Sequence, residues 1–193
     1  RRRLEMRKVF KIILVIFAVF IIIVAALGAI FFLDLAAYTA TGVKTLYPQG
    51  DSMGTALVLY DTGLSGTSAR LAEKIAAGLQ NQSLTVTLAG IKTSAAATTT
   101  GYNIIIIGGP IYAGAPTASV KDVLSNLKTD VGTHVGVFGS GQDATSTDDI
   151  AQIRNGVPAL QSGGALSDAI VVKIGESEDL DSRASGFVAQ VLG

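Results

Sequence analysis

Two hydrophobic rhythms divide the chain. Residues 12–33 are apolar without interruption, and Gly28 is the one weak helix former among them. A run of roughly 22 residues at about 1.5 Å rise per residue crosses the hydrocarbon core of a bilayer. It shows no polar face, as a helix lying on a soluble core would. The pattern therefore predicts one transmembrane helix over 12–33, behind a basic segment at 1–11. After residue 55 the rhythm changes. Short apolar runs at 56–60, 84–88, 103–107, 133–138 and 169–174 read as strands. Between and after them, 68–79, 119–127, 148–160 and 180–192 have helical spacing. Leu71, Ala72, Ile75 and Leu79 share one face of the first helix, and Val120, Val123, Leu124 and Leu127 share one face of the second. Thr147 or Asp148 is the expected N-cap of the third.

Five strands alternating with helices predict an α/β fold, a parallel sheet covered on both faces with right-handed crossovers. The run 56–60 and, after Asn103, the four Ile of 103–107 are continuously apolar, as central strands are, while 84–88 (L-T-V-T-L) alternates and has one wetter face. Residues 34–55 hold Gly42, Pro48, Gly50 and Gly54 without a sustained period and read as a linker. The stretch 93–100 (T-S-A-A-A-T-T-T) reads as a short or irregular helix.

Composition and charge sharpen this division. Hydrophobic residues make up 49% of the 193 positions, and the 12–33 run accounts for much of the excess. A secretory signal has a shorter apolar region, roughly 7–15 residues, before a small-residue cleavage site. Ala36-Ala37-Tyr38-Thr39-Ala40 resembles such a site, but the length of the run favours an uncleaved anchor. Arg1, Arg2, Arg3, Arg7, Lys8 and Lys11 precede the run, so the positive-inside rule predicts a cytoplasmic N-terminus and an outside domain. The sequon Asn81-Gln82-Ser83 is consistent with that side. The formal net charge of zero hides a split: the part beyond the run carries nine basic and fourteen acidic residues. An acidic domain argues against nucleic-acid binding. The absence of Cys removes disulfides, thiolate metal sites and Cys nucleophiles, and no metal is expected.

In such a sheet, ligands bind past the carboxyl ends of the strands, where the winding reverses. After the first strand comes Asp61-Thr62-Gly63-Leu64-Ser65-Gly66-Thr67-Ser68, which leads straight into a helix. Free amides and the positive end of the helix dipole favour a phosphate there, and the four hydroxyls add donors. The loop lacks the Lys of G-x-x-x-x-G-K-[ST] and is not G-x-G-x-x-G; ordinary capping is the alternative reading. After the third strand comes Gly108-Gly109-Pro110-Ile111-Tyr112-Ala113-Gly114-Ala115-Pro116, with Tyr112 suited to stacking on a flat ring or to covering the core edge. After the fourth comes Gly139-Ser140-Gly141-Gln142-Asp143, a polar turn able to meet the edge of a ring. His134 is the only His and falls within a strand, which favours a structural role.

Together these loops make residues 56–193 resemble a short-chain flavodoxin. T-G-L-S-G-T-S is similar to that family's phosphate loop, [ST]-x-[ST]-G-x-[ST], with one residue inserted between Thr62 and Ser65. G-G-P-I-Y-A-G-A-P is similar to its flavin-stacking loop. The resemblance implies a flavodoxin-like three-layer sandwich with strand order 2-1-3-4-5, and FMN as cofactor. It implies that Thr62, Gly63, Ser65, Gly66, Thr67 and Ser68 hold the phosphate. Tyr112, with Pro110, Ile111, Ala113 and Gly114, would cover the ring, and Ser140, Gly141, Gln142 and Asp143 would line its pyrimidine side. It further implies that the Ala113–Gly114 peptide flips with redox state, in a type II turn that Gly114 makes accessible. The third loop lacks the aromatic that many flavodoxins place there. The function expected is membrane-anchored electron transfer to redox proteins or membrane carriers. A flavin-dependent reductase and a binding module without FMN are the alternatives.

Overall fold

The computed structural model describes the backbone of residues 2–36 and 42–193, and the side chains of 11–30 and 42–193. The apolar run lies in α1 (Arg2–Ala36), which is longer than the 12–33 span and continues through the basic segment. Within it, Lys11–Ile30 is long and apolar enough to cross a membrane, with none of that span buried in the protein. A signal sequence would have the same properties. Most of the cleavage-site-like stretch Ala36–Ala40 lies outside the described residues.

The sheet starts inside the segment read as a linker. β1 (Val43–Leu46) pairs antiparallel with β3 (Leu84–Gly90), Val43 opposite Ala89 and Leu46 opposite Val86. Tyr47 O accepts from Gln80 Nε2 at 2.6 Å, and Met53 N donates to Ser83 O at 2.8 Å. These bonds fasten 42–53 along the sheet edge and give β3 a partner on its outer side, where an open edge would invite pairing with another chain. The central strands are β2 (Gly54–Tyr60), β4 (Ile104–Tyr112) and β6 (His134–Gly141), and β7 (Ile170–Gly175) forms the far edge. The order across the sheet is β1-β3-β2-β4-β6-β7. Its five parallel members keep the expected 2-1-3-4-5 order, and β1 is an addition to it.

Continuous apolar strands divide their side chains between two faces, because successive residues point opposite ways. Ala56, Val58, Ile104, Ile106 and Phe138 pack with α2 (Thr67–Asn81) and α5 (Leu180–Leu192), through Leu71, Ile75, Leu79, Phe187 and Val191. Leu57, Leu59, Ile105, Ile107 and Val137 face α3 (Ala118–Asn126) and α4 (Thr147–Asn155), through Val120, Leu124 and Ile153. The 93–100 stretch contributes one 3₁₀ turn, Ser94–Ala97. The helix expected over 148–160 stops at Asn155, before Gly156, and Pro158–Leu160 forms a separate 3₁₀ turn. Its N-cap is Ser146, ahead of the expected Thr147 or Asp148. Ser146 Oγ accepts from Asp149 N, and the Asp149 carboxylate accepts from Ser146 N, a reciprocal box that satisfies two otherwise free donors.

Candidate functional site

The segments read as loops after the third and fourth strands are largely strand. β4 runs on through Gly108, Gly109 and Pro110, paired with β6 as far as Pro110 opposite Ser140. Two glycines here meet packing requirements. A Cβ on Gly109 would lie 2.9 Å from Asp61 Cβ and from Val120 Cγ2, and one on Gly108 would collide with Phe138. β4 then folds back on β5 (Ala115–Pro116), Tyr112 opposite Ala115. The two-residue turn has φ +49° at Ala113 and +79° at Gly114. Positive φ at both central positions is the type I′ hairpin pattern, not the type II turn expected, and it matches the right-handed twist of the strands it joins.

These strand ends frame a cleft of about 530 Å³ at the carboxyl edge of the sheet. Of the residues expected there, Ser65, Pro110, Ile111, Tyr112, Ala113, Gly114, Ser140, Gly141, Gln142 and Asp143 line it. Thr62, Gly63, Gly66, Thr67 and Ser68 lie in the first loop and helix turn, outside the lining itself. Gly63, at φ +64°, lets the two loops meet, since a Cβ there would sit 2.9 Å from Pro110. Tyr112 Oη accepts from Leu64 N at 3.4 Å, so the ring spans from the second loop to the first. His134 is exposed at the first residue of β6, at the opposite end of that strand from the cleft-lining Ser140 and Gly141.

The first loop enters α2 through Gly66 in the left-handed region (φ +68°), with no side-chain cap on the helix start. Three of its four hydroxyls have defined partners. Ser65 Oγ donates to Thr67 Oγ1 (3.1 Å), and Thr67 Oγ1 donates to Glu176 Oε1 (2.8 Å). Arg70 donates to Thr67 Oγ1 at 2.8 Å and to Ser65 O at 3.3 Å. Ser68 and Ser140 share a buried hydrogen bond of 2.6 Å, which ties the first loop to the fourth strand. Thr62 Oγ1 is buried with no partner in the structure. Beneath the loop, buried Asp61 accepts from Thr117 (3.0 Å) and Ser119. Burial raises its carboxyl above the usual range, and these two hydroxyls and the Gly63 and Thr62 amides only partly offset that. Neither amide makes a well-formed hydrogen bond to Oδ1, which has no partner.

Five cleft residues were not expected from the sequence: Leu64, Asp149, Gln152, Lys173 and Glu176. Lys173 is buried at the end of β7, and its Nζ lies 2.9 Å from Asp149 Oδ2. That hydrogen bond, followed by those from the Ser146 amide and hydroxyl, lowers the Asp149 carboxyl to about 2. Glu176 follows β7 and is fixed through its amide, which donates to Gly141 O at 2.8 Å. The only sequence signal was position: both Lys173 and Glu176 sit at the carboxyl end of the last strand, where an α/β sheet gathers its ligand contacts. Among the described residues, no group of His, Asp and Glu could hold a metal ion.

A doubly wound parallel sheet of this order, with its cleft at the first, third and fourth strand ends, is a flavodoxin-like fold. Solved structures share it. A short-chain flavodoxin associated with a bacterial microcompartment superposes with a TM-score of 0.52 at 22% identity, covering 72% of this chain and 97% of that one. The apo form of an NADH:FMN oxidoreductase gives 0.53 at 14% identity, over 72% and 88% of the two chains. A flavodoxin from Streptococcus pneumonia TIGR4 gives 0.50 at 18%, over 72% and 97%. At these identities the likeness is one of fold. No family model matches the chain, and no curated protein matches it.

Proposed function

We propose that this protein is a membrane-anchored, FMN-binding electron carrier. The observation that carries the reading is the start of α2. Its N-cap Gly66 has no side chain to close it, Ser65 Oγ reaching only the Thr67 amide at 3.3 Å; it is fed by a loop whose buried Thr62 hydroxyl has no partner, and that loop borders a cleft of about 530 Å³. The positive end of a helix start and an unpaired hydroxyl donor suit a phosphate, and the cleft is within the usual size range for a cofactor site. The residues present therefore fit a flavin mononucleotide. Thr62, Ser65, Thr67 and Ser68, with the backbone at Gly63 and Gly66, would hold its phosphate. Tyr112 would lie against one ring face beside Pro110 and Ile111. Ser140, Gly141, Gln142 and Asp143 would meet the polar ring edge.

When bound, FMN supplies one- and two-electron transfer, and the protein orients and tunes it. The Ala113–Gly114 peptide sits at the apex of a tight turn beside the cleft. Gly114 permits a second orientation of that peptide at little conformational cost. The acidic surface of the domain would favour basic redox partners through electrostatic steering. Anchoring would come from α1, with its basic start in the cytoplasm and the domain on the far side.

The test uses the full chain in detergent, with and without added FMN. A flavin spectrum that co-elutes with the protein and releases FMN on denaturation is expected. A colourless protein that leaves FMN fluorescence unquenched at micromolar concentration would overturn the reading. Steady oxidation of NAD(P)H by the purified protein would show a reductase instead.

A further inference from the structure

The hydroxyls of the first loop each carry one proton, and those protons can be followed. Ser65 gives its proton to Thr67 Oγ1, Thr67 gives its own to Glu176 Oε1 at 2.8 Å, and Ser68 and Ser140 share one bond. Only Thr62 has a hydroxyl without a partner. A phosphate arriving at this helix start therefore finds the position in front of Thr67 already taken by a carboxylate. That carboxylate has the features of an anion held in the cradle. It lines the cleft, it takes a hydrogen bond from the loop, and the Arg70 guanidinium is bonded to the same Thr67 oxygen. The neighbouring Ser65 and Thr67 hydroxyls and the charge of Arg70 hold the Glu176 carboxyl below its usual range, so it is ionised at neutral pH.

From this arrangement we infer that Glu176 tunes what the cradle admits: it takes the place in front of Thr67 that a phosphate would use and weakens the hold on a dianionic end, so that FMN binds with little advantage over riboflavin. The inference rests on the flavin reading above and makes it more specific. A flavin that ends in a phosphate must displace Glu176 or bind beside a like charge. A flavin that ends in a neutral ribityl hydroxyl can leave the Glu176–Thr67 bond intact. Specificity is a difference of affinities, and a like charge in the site lowers one affinity without touching the other. The wild-type protein should therefore bind riboflavin nearly as well as FMN.

The experiment titrates FMN and riboflavin into the full chain in detergent, following flavin fluorescence, for wild type, Glu176→Gln and Glu176→Ala. Glu176 is exposed and outside both core clusters, so both variants should unfold at the wild-type temperature. The expected result is a wild-type preference for FMN within about fivefold, a gain of about tenfold in FMN affinity in Glu176→Gln, and unchanged riboflavin binding. A wild-type preference for FMN of about a hundredfold, or the same FMN-to-riboflavin ratio in all three proteins, would overturn the inference. If no protein quenches either flavin, the flavin reading fails, and inorganic phosphate then decides the role of Glu176. Thermal stabilisation by millimolar phosphate that appears only in the two variants would uphold it. No gain over wild type would refute it.

Discussion

The pair Lys173–Asp149 puts a measurable demand on the wall of the cleft. The Lys173 side chain is only 8% exposed and the Asp149 side chain 22%, with 2.9 Å between Nζ and Oδ2. The same Oδ2 accepts from Ser146 N at 2.9 Å and from Ser146 Oγ at 2.8 Å. One oxygen thus serves both the start of α4 and a buried ammonium. Asp149→Asn keeps an acceptor for the cap but leaves the ammonium without its charge partner. Breaking a fully buried pair from one side costs about 3–5 kcal/mol. The partial exposure of Asp149 lets water share the load, so about 2–3 kcal/mol is expected here. For a domain of this size that lowers Tm by about 4–10 °C. Lys173→Met removes the ammonium instead of stranding it and should cost less than about 1 kcal/mol. In that background Asp149→Asn should also cost less than about 1 kcal/mol, giving a coupling of about 1 kcal/mol or more.

The assay is thermal and urea unfolding of the four proteins of this double-mutant cycle at neutral pH. The pH profile supplies a second reading. The folded Asp149 carboxyl is lowered to about 2, first by Lys173 and then by Ser146. A lowered carboxylate stabilises the fold at pH values above its unfolded pKa of about 4, and this is lost as pH falls toward the folded value. Wild type and Asp149→Asn should therefore converge between pH 4 and about 2. Equal costs for Asp149→Asn with and without Lys173 would refute the reasoning, because the damage would then belong to the helix cap alone.

Asp61 has the opposite sign. Burial raises its folded pKa, so the protonated form stabilises the fold at low pH and the ionised form costs stability as pH rises. Asp61→Asn should raise Tm at neutral pH, and the gain should shrink as pH falls through the raised folded pKa and be gone by about pH 4; a constant gain at all pH values would contradict this. Gly108→Ala should destabilise by about 1–3 kcal/mol, because its Cβ would press on the Phe138 carbonyl and ring, and unchanged urea unfolding would show that the strand can shift. The protein should stay with the membrane pellet in alkaline carbonate as long as α1 is intact; release of the full-length chain would contradict an anchor.

The elements visible in the sequence were those whose burial repeats. Ile104 to Ile107 are buried on alternate faces, so a continuous apolar run signalled a strand covered on both sides. β1 gave no such signal. Val43, Lys44 and Thr45 are exposed, and the strand is held by its backbone ladder to β3 rather than by a hydrophobic pattern. The strand ends after Ile107 and Phe138 were read as loops because Gly108, Gly109, Pro110 and Gly139 have the composition of turns. Close packing against Phe138, Asp61 and Ile111 is what calls for glycine at three of these positions. Composition cannot separate a glycine needed for φ from one needed for space, since both leave the same letter.

The cleft divides the same way. Its shape comes from residues carried on short segments, where a strand end and a turn fix their neighbours: Gly63 against Pro110, Tyr112 opposite Ala115, Ser140 opposite Pro110. Such local constraints leave a spacing that can be read as a motif. Its charge comes from Asp143, Asp149, Lys173 and Glu176, which meet because β7 lies beside β6 and Lys173 reaches Asp149 of α4. Apart from Asp143, each is a single charged letter outside any motif, and only the strand order brings them together. A phosphate loop identified by its Ser, Thr and Gly therefore says where an anion can sit. Whether an external anion is welcome there depends on Glu176, more than a hundred residues away in sequence and bonded to Thr67 at 2.8 Å.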